Sequence, residues 1–248
     1  MSSRKQIVIT GAASGLGKTF ALHLLGHGYE LHLIDIVSID NLKYALDSGA
    51  NAEFVNSYVC DISDYESLGT VAKEIKERTT SLSCLINNAG IFPFNKLELY
   101  SPSDIQRIIN VNLVGSIYAT KQFISHLLLS DSGRVINVGS STVYSGLSDA
   151  SIYVASKMGL LGFTRSMARE YRGAGLTFNL LSCGLMRTEA VVSAGGSDEF
   201  FDHFKGLQCI DKTLTPSDMT GAVDFLISDA SSCITGQTIN VDGGLNFV

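Results

Sequence analysis

A single doubly wound α/β domain, with a sheet of about seven mostly parallel strands flanked by helices, is predicted by three features of this sequence. Apolar runs of strand length alternate with stretches of helical period along the chain, the order that builds βαβ units. Several of the runs are nearly continuous, as strands buried on both faces are. No Pro-rich linker, composition break or short repeat divides residues 1–248, a length that α/β folds reach as one unit.

The elements follow in order. A first strand is expected at 6–10 (QIVIT) and a helix at 18–27. Strands at 30–36 (ELHLIDI) and 53–60 (EFVNSYVC) precede a helix at 65–78. The fourth strand, 83–89 (SCLINNA), leads into a long helical stretch from about 102 to 128. The fifth, 133–140, is followed by helical period from about 150 to 171, and the sixth is expected at 176–183. Thr215-Pro216-Ser217-Asp218 reads as a cap with Pro at the first helical position. The helix it opens carries Met219, Val223 and Leu226 on one stripe, and a last strand is expected at 238–241. The segment 189–211 is weakly periodic, with Gly195-Gly196 and Phe200, Phe201 and Phe204. It is too long for a plain connector and reads as a substrate lid; a surface helical hairpin without a role is the alternative.

Composition narrows the function classes. Apolar residues make up 45% and charged residues 17%, enough to bury a sizeable core. A net charge of -6, with positive charges scattered, argues against nucleic acid or an anionic membrane as partner. The apolar run Ile7–Ile9 is too short for a signal peptide. No apolar stretch approaches the ~18 residues of a membrane span. Five cysteines, odd in number and without a CxxC, fit a reducing, cytoplasmic setting with thiols mostly buried. The five histidines include no HExxH and no tight His/Cys cluster, so no metal is expected.

VITGAASGLGKTF joins the first strand to the first helix and places Gly11, Gly15 and Gly17 in the turn. Glycines there admit positive φ and close backbone approach to a phosphate, and the helix offers free N–H groups and its positive dipole end. The spacing is G-x-x-x-G-x-G, not G-x-G-x-x-G, and a ligand-free tight turn is the alternative. Asp35 stands at the end of the second strand, 24 residues after Gly11. A carboxylate there accepts hydrogen bonds from both ribose hydroxyls and repels a 2′-phosphate. Neither Ser14 nor Ile36 supplies a cation to reverse that, so NAD is favoured over NADP; a solvated strand-end Asp is the other reading. Tyr153 and Lys157, in YVASK, are four apart and share one helix face, either as a reactive pair or as amphipathic neighbours.

Six motifs in this order resemble the classical short-chain dehydrogenase/reductase family over nearly the whole chain. They are the turn Thr10-Gly11…Gly15…Gly17; Asn87-Asn88-Ala89-Gly90; NVNLVG with Asn112; INVGSS with Ser140, thirteen residues before Tyr153; Tyr153…Lys157; and ITGQTINVDGG near the end. The resemblance implies a Rossmann-type sheet and a catalytic set of Asn112, Ser140, Tyr153 and Lys157. It implies NAD held by Gly11, Ser14, Gly15, Leu16, Gly17, Asp35, Asp61, Ile62, Ala89, Gly90, Tyr153, Lys157, Gly184 and Thr188. Within that set, Asp61 looks like the carboxylate that reaches the adenine amino group. Ala89 and Gly90 pass beneath the adenosine ribose, and Thr188 holds the nicotinamide carboxamide. Asn88 is structural, tying neighbouring strands. Asn112 bends its helix and holds a water that links Lys157 to solvent. The chain departs from the family at Cys183, where Pro is usual before Gly184. A freer φ, a restored N–H and a thiol near the nicotinamide result; the thiol is either a packed small hydrophobe or redox-active.

A free tyrosine has a pKa near ~10, and a neighbouring cation favours its phenolate. Lys157 is expected to supply that cation, and the bound nicotinamide in its oxidised form a second. Tyr153 then works as base in alcohol oxidation or acid in ketone reduction, with Ser140 fixing the substrate oxygen. Tyr144 has Ser148, not Lys, four residues on; it is expected to line the substrate cavity with Phe92, Phe94, Val143, Leu147 and Met186, under lid residues Val192, Phe200 and Phe204. That apolar wall, with only Arg187 and Lys205 nearby as cations, points to an uncharged secondary alcohol or ketone of modest size. The alternatives are a 3-oxoacyl-thioester reductase and a catalytically silent NAD-binding regulatory protein. The family resemblance also implies a homo-oligomer, commonly a tetramer, through the helices at 102–128 and 150–171.

Overall fold

The computed structural model describes residues 4–39 and 52–247. All seven expected strands form, as β1 (Gln6–Thr10), β2 (Glu30–Asp35), β3 (Val55–Val59), β4 (Cys84–Asn87), β5 (Arg134–Ser140), β6 (Thr177–Cys183) and β7 (Thr238–Val241). They make one sheet in the order β3-β2-β1-β4-β5-β6-β7, and every pairing is parallel. From β1 the chain builds outward through β2 to β3, then returns to the other side of β1 for β4. Connections therefore leave β1 and β4 in opposite directions, and a crevice opens at their carboxyl ends, where such sheets bind ligands.

Among the described residues, the helices are α1 (Gly15–Gly26), α2 (Tyr65–Arg78), α3 (Pro102–Ile109), α4 (Gly115–Leu127), α5 (Thr142–Ser145), α6 (Ser151–Glu170), α7 (Glu189–Ser193), α8 (Asp198–Leu207) and α9 (Thr220–Ile227). Strand side chains alternate between the two sheet faces. Ile7, Ile9, Leu31 and Leu33 pack with Phe20 and Leu24 of α1 and Val223 and Leu226 of α9. Val8, Ile34 and Phe178 pack on the other face with Leu68 and Ile75 of α2 and Phe123 and Leu127 of α4. Each such side chain, when fully buried, contributes roughly 1.5–3 kcal/mol.

Two boundaries differ from the sequence expectation. The helical stretch 102–128 is not continuous: a π-helical turn over Asn110–Val114 separates α3 from α4. The cause is tertiary. Asn112 is fully buried, and its amide is pulled onto Ile91, accepting from the Ile91 N–H at 2.7 Å and donating to the Ile91 carbonyl at 2.8 Å. The segment 189–211 forms two short helices, α7 and α8, each opened by a side-chain cap, Thr188 for Val191 N–H and Ser197 for Phe200 N–H.

Candidate active site

The cofactor-binding candidates converge at the β1/β4 crevice. Gly11 has φ +67, and a Cβ there would lie 2.6 Å from the Ala89 Cα. A Cβ on Gly17 would stand 2.0 Å from the Gly11 carbonyl oxygen. Only glycine lets β1, the turn and α1 approach this closely. Ser14 is the N-cap of α1, yet its side chain caps nothing and no acid occupies the first turn. That helix end keeps N–H donors and dipole for an anion. Asp35 closes the turn from β2: its carboxylate accepts from the Ala13 N–H at 2.9 Å and the Val37 N–H at 3.2 Å. Asn88 donates to the Thr10 and Gly11 carbonyls at 3.0 and 2.9 Å, the strand tie expected of it. Asp61 is held by the Ser63 N–H and hydroxyl at 2.9 and 2.7 Å.

The reactive side chains meet at the carboxyl end of β5. Ser140 ends that strand, and its hydroxyl lies 2.8 Å from the Thr142 hydroxyl. Tyr153 and Lys157 sit one turn apart on α6, and the Lys157 Nζ is 6.0 Å from the Tyr153 ring centroid. Lys157 is 5% exposed and donates to the Val138 carbonyl at 2.8 Å. Burial lowers its ammonium to about 8, against a smaller upward pull from Cys183. Tyr153 shifts upward. Burial and then Cys183 raise its pKa well above the ordinary value, the Ser140 hydrogen bond opposing only weakly. Desolvation of the phenolate is the largest cause, and the Lys157 ammonium makes its contact with the Val138 carbonyl. Burial likewise pushes the Cys183 thiol up, and its sulfur donates to the Gly139 carbonyl at 3.3 Å. A protonated, hydrogen-bonded thiol fits the packed reading.

One cleft of about 1100 Å³ joins the two groups. Of the expected cofactor residues, Gly11, Ser14, Gly15, Leu16, Asp35, Asp61, Ile62, Ala89, Gly90, Tyr153, Lys157, Gly184 and Thr188 line it. Gly17 lies beneath, packed on Gly11. Asn112 is also absent from the lining: its two amide N–H groups bind the Ile91 carbonyl and the Ser156 hydroxyl at 3.1 Å, so it positions rather than reacts. Phe92, Phe94, Leu147, Met186, Phe200 and Phe204 also line the cleft, with Phe200 and Phe204 in edge contact at 5.1 Å between centroids.

Three wall assignments are corrected. Val143 turns into the protein, 8% exposed. The Tyr144 hydroxyl is buried without a partner among the described residues, and Val192 is 45% exposed on the outer side of α7. None of the three lines the cleft. Local spacing does not say which way a short helix turns its faces. The sequence reading also missed Arg107, Asn110 and Leu245, which do line it; a charge on a polar helix carries no local signal of that role. The thiols divide more evenly than expected: Cys60 and Cys84 are buried, Cys183 is partly so, and Cys209 and Cys233 are exposed. No helix among the described residues is long and apolar enough to cross a membrane.

Similarity to known proteins covers the same ground. A family profile described as enoyl-(acyl carrier protein) reductase matches residues 11–246. The 3-oxoacyl-(acyl-carrier-protein) reductase FabG of Buchnera aphidicola subsp. Schizaphis graminum is 34% identical over 98% of this chain and 97% of its own length. Among solved structures, ElxO with NADP bound superposes with a TM-score of 0.89 at 25% identity, covering 98% of this chain and 99% of that one. A 4-hydroxyisoleucine dehydrogenase complexed with NADH superposes with a TM-score of 0.89 at 26% identity, covering 98% of each chain.

Proposed function

This chain belongs to the short-chain dehydrogenase/reductase family, and from that premise we propose that it reduces a 3-oxoacyl thioester to the 3-hydroxyacyl thioester with NADH. The observation that carries the reading is the end-to-end likeness to a reductase of 3-oxoacyl groups. It favours the thioester over the small uncharged ketone that the aromatic wall alone suggests. The cleft supplies one cation the sequence reading did not count, Arg107, suited to a phosphate on the thioester's carrier arm.

The residues fit a dinucleotide by the close approach at Gly11 and Gly17, the uncapped start of α1 and the carboxylate at the end of β2. Gly11, Ser14, Gly15 and Leu16 would hold the pyrophosphate, Asp35 and Asp61 the adenosine, Lys157 and Thr188 the nicotinamide half. When bound, the reduced nicotinamide supplies the hydride. Tyr153 supplies the proton: its burial keeps the phenol protonated at neutral pH, the form that donates to a carbonyl oxygen. Ser140 donates a second hydrogen bond to that oxygen and fixes its position. Lys157, anchored by the Val138 carbonyl, keeps two further N–H donors for ribose hydroxyls. Asp35 would favour NADH, because a carboxylate at the end of β2 repels a 2′-phosphate.

The test is acetoacetyl-coenzyme A with NADH and NADPH, following absorbance of the reduced nicotinamide. Turnover with NADH is expected, and Tyr153→Phe should lower kcat about 10²–10⁴-fold while NADH affinity holds. No turnover of any thioester by the wild type sinks the reading. A second reading, a small secondary alcohol or ketone, is supported by the ion pairs that engage Arg187 with Asp198 and Lys205 with Asp202; it predicts higher kcat/KM on simple ketones than on the thioester. A silent regulatory protein predicts no turnover of either class and equal NADH binding by wild type and Tyr153→Phe. Assembly through the helical faces expected of the family is supported by exposed Leu128, Leu129 and Met158; sedimentation velocity tests it.

A further inference from the structure

We propose that His23, His27 and Asp224, none of which lines the cleft, form a binding site for a divalent transition metal, Zn²⁺ in the first instance. The sequence gives no hint of it: the two histidines are four apart on α1 and its cap, and the carboxylate comes from α9, 201 residues beyond His23. The fold brings one ligand atom from each within 4.8 Å of the other two.

Two hydrogen bonds fix the ligand side chains. His27 Nδ1 lies 2.8 Å from the His23 carbonyl oxygen, which can only accept. With Nδ1 donating to that carbonyl, Nε2 is the atom that His27 would offer to a metal. Metal-bound histidines are commonly fixed in this way, through a backbone carbonyl on the other ring nitrogen. His23 Nε2 lies 2.8 Å from Asp224 Oδ2, a hydrogen bond whose proton an ion can replace. Bonds of about 2.0–2.2 Å to N and O at a tetrahedral angle set two ligand atoms about 3.3 Å apart, so that pair opens by about half an ångström. The imidazole rings stand 4.2 Å apart between centroids, with His23 and Asp224 partly buried and His27 exposed. Two imidazoles and a carboxylate with a fourth position open to water suit Zn²⁺, Co²⁺ or Ni²⁺ and not Mg²⁺ or Ca²⁺. A bound ion would clamp the carboxyl end of α1 to α9 over the core that both helices share.

The test uses the full chain stripped of metal, titrated with ZnCl₂ by calorimetry and with CoCl₂ by visible absorption. One Zn²⁺ per chain is expected, with tetrahedral Co²⁺ bands. His27→Ala removes an exposed ring and should weaken Zn²⁺ binding at least about tenfold without changing the unfolding midpoint of the metal-free protein; Asp224→Asn should weaken it likewise. Zn²⁺ at about a hundredfold over Kd should raise the wild-type midpoint by about 5 °C or more. Absence of binding overturns the proposal. So does binding that neither variant weakens, which would place the ion elsewhere, for instance on the exposed Cys209 or Cys233.

Discussion

Tyr153 and Lys157 show what burial does to a pair of titrating groups. Both are pushed toward their neutral forms, the phenol upward and the ammonium down to about 8. The phenol is therefore an acid at neutral pH, while Lys157 is charged below about pH 8 and neutral above it. Reductive kcat/KM should accordingly fall as pH rises through that value, and a flat profile from neutrality to about pH 9.5 would show that the ammonium is not needed. The sign for stability is opposite. An unfolded lysine binds its proton more tightly than buried Lys157, so this group favours the fold more as pH rises above about 8. On the proposed reading, the Asp35 carboxylate repels a 2′-phosphate. Asp35→Ser should shift the ratio of NADH to NADPH specificity constants toward NADPH by roughly tenfold or more; an unchanged ratio would mean that discrimination lies elsewhere.

Among the elements, α6 depends on a buried polar ladder as well as on apolar contacts. Asn137 of β5 accepts from the Asn87 amide of β4 at 2.8 Å and donates to the Thr164 hydroxyl of α6 at 2.9 Å. Asn87 in turn donates to Thr120 of α4 at 3.0 Å. The ladder runs helix to strand to strand to helix and fixes the helix that carries Tyr153 and Lys157. Asn137→Ala leaves one buried Asn87 N–H without its acceptor, at about 1–3 kcal/mol, removes the donor to the Thr164 hydroxyl, which keeps its bond to the Leu160 carbonyl, and opens a cavity. The chain should lose about 2–5 kcal/mol of unfolding free energy by denaturant titration, and kcat should fall with it. A loss below about 0.5 kcal/mol, typical of surface positions, would mean the ladder is dispensable. The family resemblance implied a bend at Asn112, but the hydrophobic pattern did not show the π-helical turn at Asn110–Val114, because a shift of one residue hardly disturbs a 3.6-residue period. It exists because Asn112 reaches Ile91, twenty-one residues away.

Across the whole molecule, the cleft collects residues from the ends of β1, β2, β4, β5 and β6, from α3 and α6, and from the segment holding α7 and α8. A ligand that bridges them should act as a staple. NADH at about a hundredfold over its Kd should raise the unfolding midpoint by about 5–10 °C, and NADPH at the same concentration by less. Equal shifts would remove the case for NADH preference.

The chain's sequence determined its strand cores, the glycine turn, Asp35 at its strand end and the Tyr153–Lys157 spacing, because doubly buried strands read as apolar runs and a four-residue offset fixes a shared helix face. Only the tertiary structure decided what those groups meet. It turned Val143, Tyr144 and Val192 out of the cleft, brought Arg107 and Leu245 in, buried the phenol, and set Asp224 beside His23. Local pattern states which side chains travel together; sheet order and desolvation choose their neighbours, and both arise only when distant segments pack.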